Sequence, residues 1–143
     1  IRTQISVAEL FTDLKKLFPE EEFQFEAPSP ELKLNADRTQ IEQVLINLLK
    51  NAREACNRKL DKNIQVKVKK LSTGNTALTI SDNGEGILPD VLDKIFVPFF
   101  TTKTSGSGIG LSLCKQIMTL HEGSINVKSE VGKGSSFILT FPK

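Results

Sequence analysis

Three short stretches of this chain gather residue types that could do chemistry. In INLLKNAREA, residues 46 to 55, Asn47 and Asn51 stand four positions apart inside an otherwise strong helical pattern. Asparagine costs up to about 0.7 kcal/mol relative to alanine in a helix interior, because its amide competes for backbone hydrogen bonds. At about 100° per residue the two side chains lie roughly 40° apart, on one polar edge beside the apolar stripe. Two amide oxygens on successive turns could ligate a hydrated magnesium ion or hold phosphate-bound water. Taken in isolation, both amides could equally cap nearby backbone.

The second stretch is SDNGEGI, residues 81 to 87, which follows the alternating run TALTI. Asp82 should emerge where a strand leaves the core, and Gly84 and Gly86 allow a tight turn or a close approach of a ligand to bare backbone. A carboxylate there can accept a hydrogen bond from an exocyclic amine such as that of adenine. A simple Asp-Asn-Gly turn is the alternative. In the third stretch, GSGIGL, the glycines Gly106, Gly108 and Gly110 alternate directly before a helix. Their amides would point from a helix N-terminus, which favours phosphate. The GxGxG spacing fits neither the Rossmann fingerprint nor the Walker pattern, so a third class of nucleotide site is implied. Lys103, between Phe99-Phe100 and this loop, is either a cation for a terminal phosphate or a plain surface lysine.

The elements that must position these residues can be read from apolar periodicity. VAELFTDLKKLF has Val7, Leu10, Phe11, Leu14, Leu17 and Phe18 at helical spacing and stops at Pro19. FQFEA (23 to 27) reads as a strand, with ELKL (31 to 34) as its partner across Pro28 and Pro30. Asp37 should cap a long helix over about 38 to 58, with Ile41, Val44, Leu45, Leu48, Leu49 and Ala52 on one stripe. IQVKVKKL and TALTISD form a hairpin around Ser72 to Asn75. LPDVLDKIF is a short helix with Pro89 in its first turn, GLSLCKQIMTLH a helix ended by Gly123, and SINVKSE with SSFILTF a terminal hairpin around GKG. The basic stretch KVKKL at 67 to 71 is read as a solvated strand edge. The expected class is α+β: one mixed sheet under a helical layer, in a single domain over residues 1 to 143.

Composition limits the function. With 38% hydrophobic and 25% charged residues the chain is an ordinary soluble domain, and a formal charge of +2 argues against nucleic acid as partner. No apolar run approaches the roughly 18 residues a membrane span needs, and no leader pattern is present, so a cytoplasmic domain without membrane contact of its own is expected. A start at Ile1 suggests a piece of a longer protein, whose parent could be anchored in the inner membrane. Cys56 and Cys114 lack CxxC spacing and read as buried reduced thiols.

An asparagine-bearing helix, a DxGxG turn, a PFF segment and a GxGxGL loop, in that order, resemble the GHKL ATP-binding superfamily. The closest likeness is to the catalytic domain of bacterial two-component sensor histidine kinases. QVLINLLKNAREA is similar to the N box, SDNGEGI to the first glycine box, IFVPFFTTK to the phenylalanine box and GSGIGL to the second glycine box. GKGSSFILTFP is similar to the last strand pair. The resemblance implies a two-layer α/β sandwich, the Bergerat ATP-binding fold, with a mixed, mostly antiparallel sheet under three helices. It implies ATP and Mg2+ as ligands. Asn51 would be the magnesium ligand, Asn47 its phosphate-side neighbour, and Asp82 the adenine-reading carboxylate. Gly84 belongs to the same turn, Gly86 and Ile87 would form the floor beside the base, and Gly106, Gly108 and Gly110 the phosphate cradle and lid hinge. Leu111 would be the apolar contact that follows.

Hydrolysing relatives carry a glutamate where Asn47 stands, and asparagine cannot accept a proton at neutral pH. Phosphoryl transfer needs mainly positioning and charge neutralisation, which Asn47 and Lys103 could assist. The expectation is therefore a kinase domain that donates the γ-phosphate to a histidine on a separate dimerisation domain, for relay to a response-regulator receiver domain. An ATP-sensing pseudokinase and an anti-sigma-type serine kinase are the alternatives. His121, the only histidine, closes an apolar helical face and reads as a packing residue rather than the acceptor, so this chain should bind ATP and phosphorylate nothing by itself.

Overall fold

The computed structural model describes residues 1–26, 28–100 and 110–143. The chain opens with β1 (Thr3–Ser6) and the helix α1 (Val7–Leu17). Ser6 caps that helix, accepting from the N–H of Glu9 at 3.3 Å, and Pro19 ends it one residue beyond the cap at Phe18. Val7, Leu10, Phe11 and Leu14 face the core at the spacing read from sequence.

β2 (Phe23–Phe25), β3 (Lys33–Ala36) and the long helix α2 (Arg38–Ala55) follow. Then come β4 (Ile64–Lys70), β5 (Thr76–Asp82), the short α3 (Pro89–Leu92), α4 (Gly110–Leu120), β6 (Ser124–Glu130) and β7 (Gly134–Phe141). Five strands form one mixed sheet in the order β2-β4-β5-β7-β6, parallel between β2 and β4 and antiparallel elsewhere. One face is covered by the helices: α2 packs on α4, β5 and β7, α4 on β6, and α1 on β2 and α2. This is the two-layer α+β sandwich expected from the sequence.

The register explains the core. Val68, Leu78, Leu139 and Ile125 stand in one cross-strand row, and Val66, Ile80, Phe137 and Val127 in the next. Period-two alternation turns both rows toward the helices, where the stripe of α2 from Ile41 to Ala52 is buried against them. Burying each such side chain contributes about 1.5–3 kcal/mol.

Several expectations need correction. ELKL does not pair with FQFEA: β3 pairs antiparallel with β1, as a separate two-stranded ribbon, while β2 pairs with β4. The segment holding Pro28 and Pro30 is a connection between layers rather than a hairpin turn. Leu34 and Ala36 gain burial alongside Ile5 in the ribbon. α2 stops at Ala55, three residues early: after the C-cap Cys56 the chain tightens into turns, with the N–H of Asn57 on the carbonyl of Glu54 and that of Lys59 on the carbonyl of Cys56. At the end of α4 the left-handed residue is Glu122 (φ 61°), not Gly123. Gly123 is required for closeness instead, since a Cβ there would stand 2.3 Å from the carbonyl oxygen of Thr140. The lysines of β4 do lie beyond β2, which pairs only with residues 64–66.

Candidate functional site

The next cross-strand row after Val66-Ile80-Phe137-Val127 is Ile64-Asp82-Ser135-Ser129. Each of the last three strands therefore ends its inward series with a polar residue: Asp82 after Leu78 and Ile80, Ser135 before Phe137 and Leu139, Ser129 after Ile125 and Val127. The polar rung belongs to the core face of the sheet and closes it at one end.

Asp82 is half-buried there, and its Oδ1 accepts from the N–H of Gly84 at 2.9 Å. Burial pushes its carboxyl above the ordinary value, and hydrogen bonds from backbone at Gly84 and Ser135 pull it partly back. Asn83 turns the other way. Its amide accepts from the N–H of Asn63 at 2.9 Å and donates to the carbonyl of Asp61 at 2.8 Å, which ties the turn to the segment entering β4. Asp-Asn-Gly is thus a turn and a presented carboxylate at once, and the two sequence readings are not exclusive.

The glycines of this turn are dictated by contact. A Cβ on Gly84 would stand 2.4 Å from the carbonyl oxygen of Ala55, the last residue of α2, and Glu85 donates its N–H to that same oxygen at 3.2 Å. Gly86 has φ +79° and lies against the backbone of Glu130. Ile87, packed partly into the core, donates its N–H to the Ser129 hydroxyl at 2.8 Å.

On α2, Asn47, Asn51 and Ala55 follow one another at four-residue spacing and so line one edge of the helix. Both asparagines are half-buried. At one end of this edge Asn47 Nδ2 lies 3.4 Å from the carbonyl oxygen of Gly110 and 3.9 Å from Cys114 Sγ, while its Oδ1 accepts from Gln43 at 3.1 Å. At the other end Ala55 receives the glycine turn. Asn51 stands between the two glycine-bearing segments. Leu111, just after Gly110, is half-buried against the core.

The fold thus brings together Asn47, Asn51, Asp82, Gly84, Gly86, Ile87, Gly110 and Leu111. Lys103, Gly106 and Gly108 lie outside the described residues. Ser129 and Ser135 are not singled out by the sequence, because the inward polar positions of three strands fall on one rung only through the register. His121 is buried, with Nδ1 2.9 Å from the carbonyl of Ile117 and Nε2 accepting from the N–H of Asp37 at 3.0 Å, so it joins the end of α4 to the cap of α2. Cys56 and Cys114 are free and buried, as expected, and burial pushes the Cys114 thiol up to about 11. An open depression of about 600 Å3 beside β2, lined by Glu21, Glu22, Gln24, Leu60, Asp61 and Lys62, includes no member of the polar rung.

Among the described residues no three of His, Cys, Asp and Glu converge as a metal-binding group. The donor set fits magnesium nonetheless, because that ion keeps several waters and takes one or two protein oxygens together with substrate phosphates. The amide oxygen of Asn51, one turn along the edge from Asn47 and its contact with Gly110, would be such a donor.

The sequence and the fold are similar to those of known proteins. Sensor histidine kinase ZraS of Salmonella typhimurium is 42% identical over 110 residues, covering 77% of this chain and 23% of that protein. The chain thus spans about a quarter of the length of curated relatives such as this one. The catalytic domain of histidine kinase ThkA, in a nucleotide-free form, superposes with a TM-score of 0.87 at 36% identity, covering 100% of this chain and 96% of that one. Histidine kinase ThkA in complex with response regulator protein TrrA matches with a TM-score of 0.80 at 34% identity, over 99% of this chain and 42% of that one. Residues 36–143 match the family described as histidine kinase-, DNA gyrase B-, and HSP90-like ATPase, and to that family the chain belongs.

Proposed function

We propose that this chain is the catalytic domain of a sensor histidine kinase, binding MgATP and presenting its γ-phosphate to a histidine on a dimerisation domain elsewhere in the parent protein. The observation that carries the reading is the edge Asn47-Asn51-Ala55, with the N-terminus of α4 at one end and the Asp82 turn at the other. A triphosphate lying along that edge meets donors suited to phosphate near Gly110, an amide oxygen suited to its magnesium at Asn51, and a carboxylate suited to the adenine amine at Asp82. Ile87 and Gly86 would floor the base, with Gly84 holding the turn on α2. Leu111 would give an apolar contact beside the phosphates.

Magnesium, when bound, neutralises phosphate charge and orients the γ-phosphoryl group. Gly106, Gly108 and Lys103 are assigned by the same reading to the phosphate cradle and to the cation at the terminal phosphate. Asn47 supports transfer over hydrolysis, since an amide cannot deprotonate water at neutral pH. A response-regulator receiver domain is the proposed downstream partner, by likeness to the ThkA complex. A cytoplasmic site is part of the same proposal; no described helix is long and apolar enough to cross a membrane.

The test is calorimetric titration of the chain with a non-hydrolysable ATP analogue, with and without Mg2+, for the wild type, Asp82→Ala and Asn51→Ala. Adenine selectivity should vanish in Asp82→Ala, and the Mg2+ dependence of triphosphate binding in Asn51→Ala. A variant that binds as the wild type does has been assigned the wrong role.

A further inference from the structure

The hydroxyl of Ser129 has one proton and two lone pairs, and its neighbours use all three. The N–H of Ile87 donates to it at 2.8 Å, it donates to the carbonyl oxygen of Gly134 at 3.1 Å, and the hydroxyl of Ser135 lies 2.9 Å away. With its proton spent on Gly134 and one lone pair on Ile87, Ser129 can only accept from Ser135. The Ser135 proton is then directed at Ser129, and Ser135 keeps lone pairs but no proton for anything else. Ser135 is 6% exposed and stands directly across from Asp82 in the polar rung.

We infer that Ser129 is a positioning residue for base selection: it fixes the backbone of Ile87 and holds Ser135 as an acceptor beside Asp82. This rests on the reading of the Asp82 end as the base site. Two neighbouring acceptors suit a base that offers an exocyclic amine and refuse one that offers a carbonyl oxygen at the same place. Adenine and guanine differ in that respect at their six-position. Removing the Ser129 hydroxyl frees the Ser135 proton to rotate, so that Ser135 can donate to a guanine oxygen and the discrimination weakens. The same removal leaves the N–H of Ile87 without its partner, which loosens the floor of the site.

The experiment is calorimetric titration of the 143-residue chain with ADP and with GDP, with Tm recorded for each variant. Ser129→Ala should weaken ADP about tenfold, the worth of a lost buried hydrogen bond, and lower the ADP-to-GDP preference by a similar factor. Ser129→Thr, which keeps the hydroxyl, should restore both. Ser136→Ala is the control, because Ser136 pairs with Ser81 at 2.8 Å in the neighbouring row, on the opposite face of the sheet. Should Ser129→Ala fail to fold, Ser129→Cys keeps the volume with a weaker donor and acceptor and should give an intermediate preference. A wild-type preference in Ser129→Ala or Ser129→Cys overturns the inference, as does a loss that tracks Tm and is matched by Ser136→Ala. A wild type that binds neither nucleotide overturns the nucleotide-site reading and this inference with it, and one that binds both equally overturns the base-reading role of Asp82 and this inference.

Discussion

Asn47 Nδ2 faces the carbonyl oxygen of Gly110 at 3.4 Å, so the helix bearing both asparagines is fastened directly to the first residue of α4. Asn47→Asp puts an oxygen where the donor was. Repulsion from the Gly110 carbonyl, at a contact open to solvent, should cost about 0.5–1.5 kcal/mol of stability, the worth of the hydrogen bond it removes. Urea denaturation measures it, and an unchanged midpoint would mean the α2–α4 contact does not depend on that amide.

Asp82 gives a pH prediction of definite sign. Its folded-state carboxyl lies above the ordinary value of 3.8, so the folded protein holds this proton more tightly than the unfolded chain does. Ionised Asp82 therefore costs stability at neutral pH, and the cost disappears as pH falls below 3.8. Asp82→Asn should raise Tm at pH 7 and lose that advantage in acid. In the wild type, ADP affinity should fall with pH through the raised value, because protonation removes the acceptor. Affinity that stays flat into acid would show that the carboxylate does not read the base.

Gly84→Ala tests how the turn is seated on α2. The added Cβ meets the Ala55 carbonyl at 2.4 Å, a backbone atom that cannot swing aside. We expect a loss of about 1–3 kcal/mol, as for overpacking generally, together with weaker nucleotide binding. Gly132→Ala, whose Cβ meets nothing within 4 Å but whose φ is +85°, isolates the cost of left-handed backbone, about 1 kcal/mol. Equal losses in the two variants would remove the close-contact argument.

His121 bonds to backbone on both ring nitrogens and is buried, which leaves it unfit to receive a phosphoryl group. Incubation of the chain with radiolabelled ATP should leave the protein unlabelled. His121→Ala should destabilise it by roughly 2–4 kcal/mol through the cavity and the Asp37 N–H left unpaired. Label that is present in the wild type and absent from His121→Gln would make it an acceptor after all.

Much of this fold was legible because periodicity and side-chain burial coincide. The stripe of α2, the alternation of β4 to β7 and the cap at Asp37 each have one physical solution. β1 was not legible: in IRTQIS only Ile5 turns inward, and four residues with one apolar position carry no period. Nearness in sequence points β3 to the wrong partner, since Leu34 and Ala36 are buried by the ribbon with β1 instead. At the site, Asn47, Asn51 and Asp82 stood out as polar residues in apolar patterns. Ser129 and Ser135 did not, since their meaning depends on strand register, which sets three inward series side by side so that they end on one rung.

Because that rung continues the apolar face of the sheet, packing and the proposed base recognition compete for the same surface. A neutral residue of the same shape in place of Asp82 would keep the hydrogen bond to Gly84, relieve the cost of burying the charge and make the free protein sturdier. The same change would erase the recognition. Selection for thermal robustness alone would thus discharge this end of the sheet, and variants recovered from such a screen should gather at Asp82 with nucleotide affinity lost.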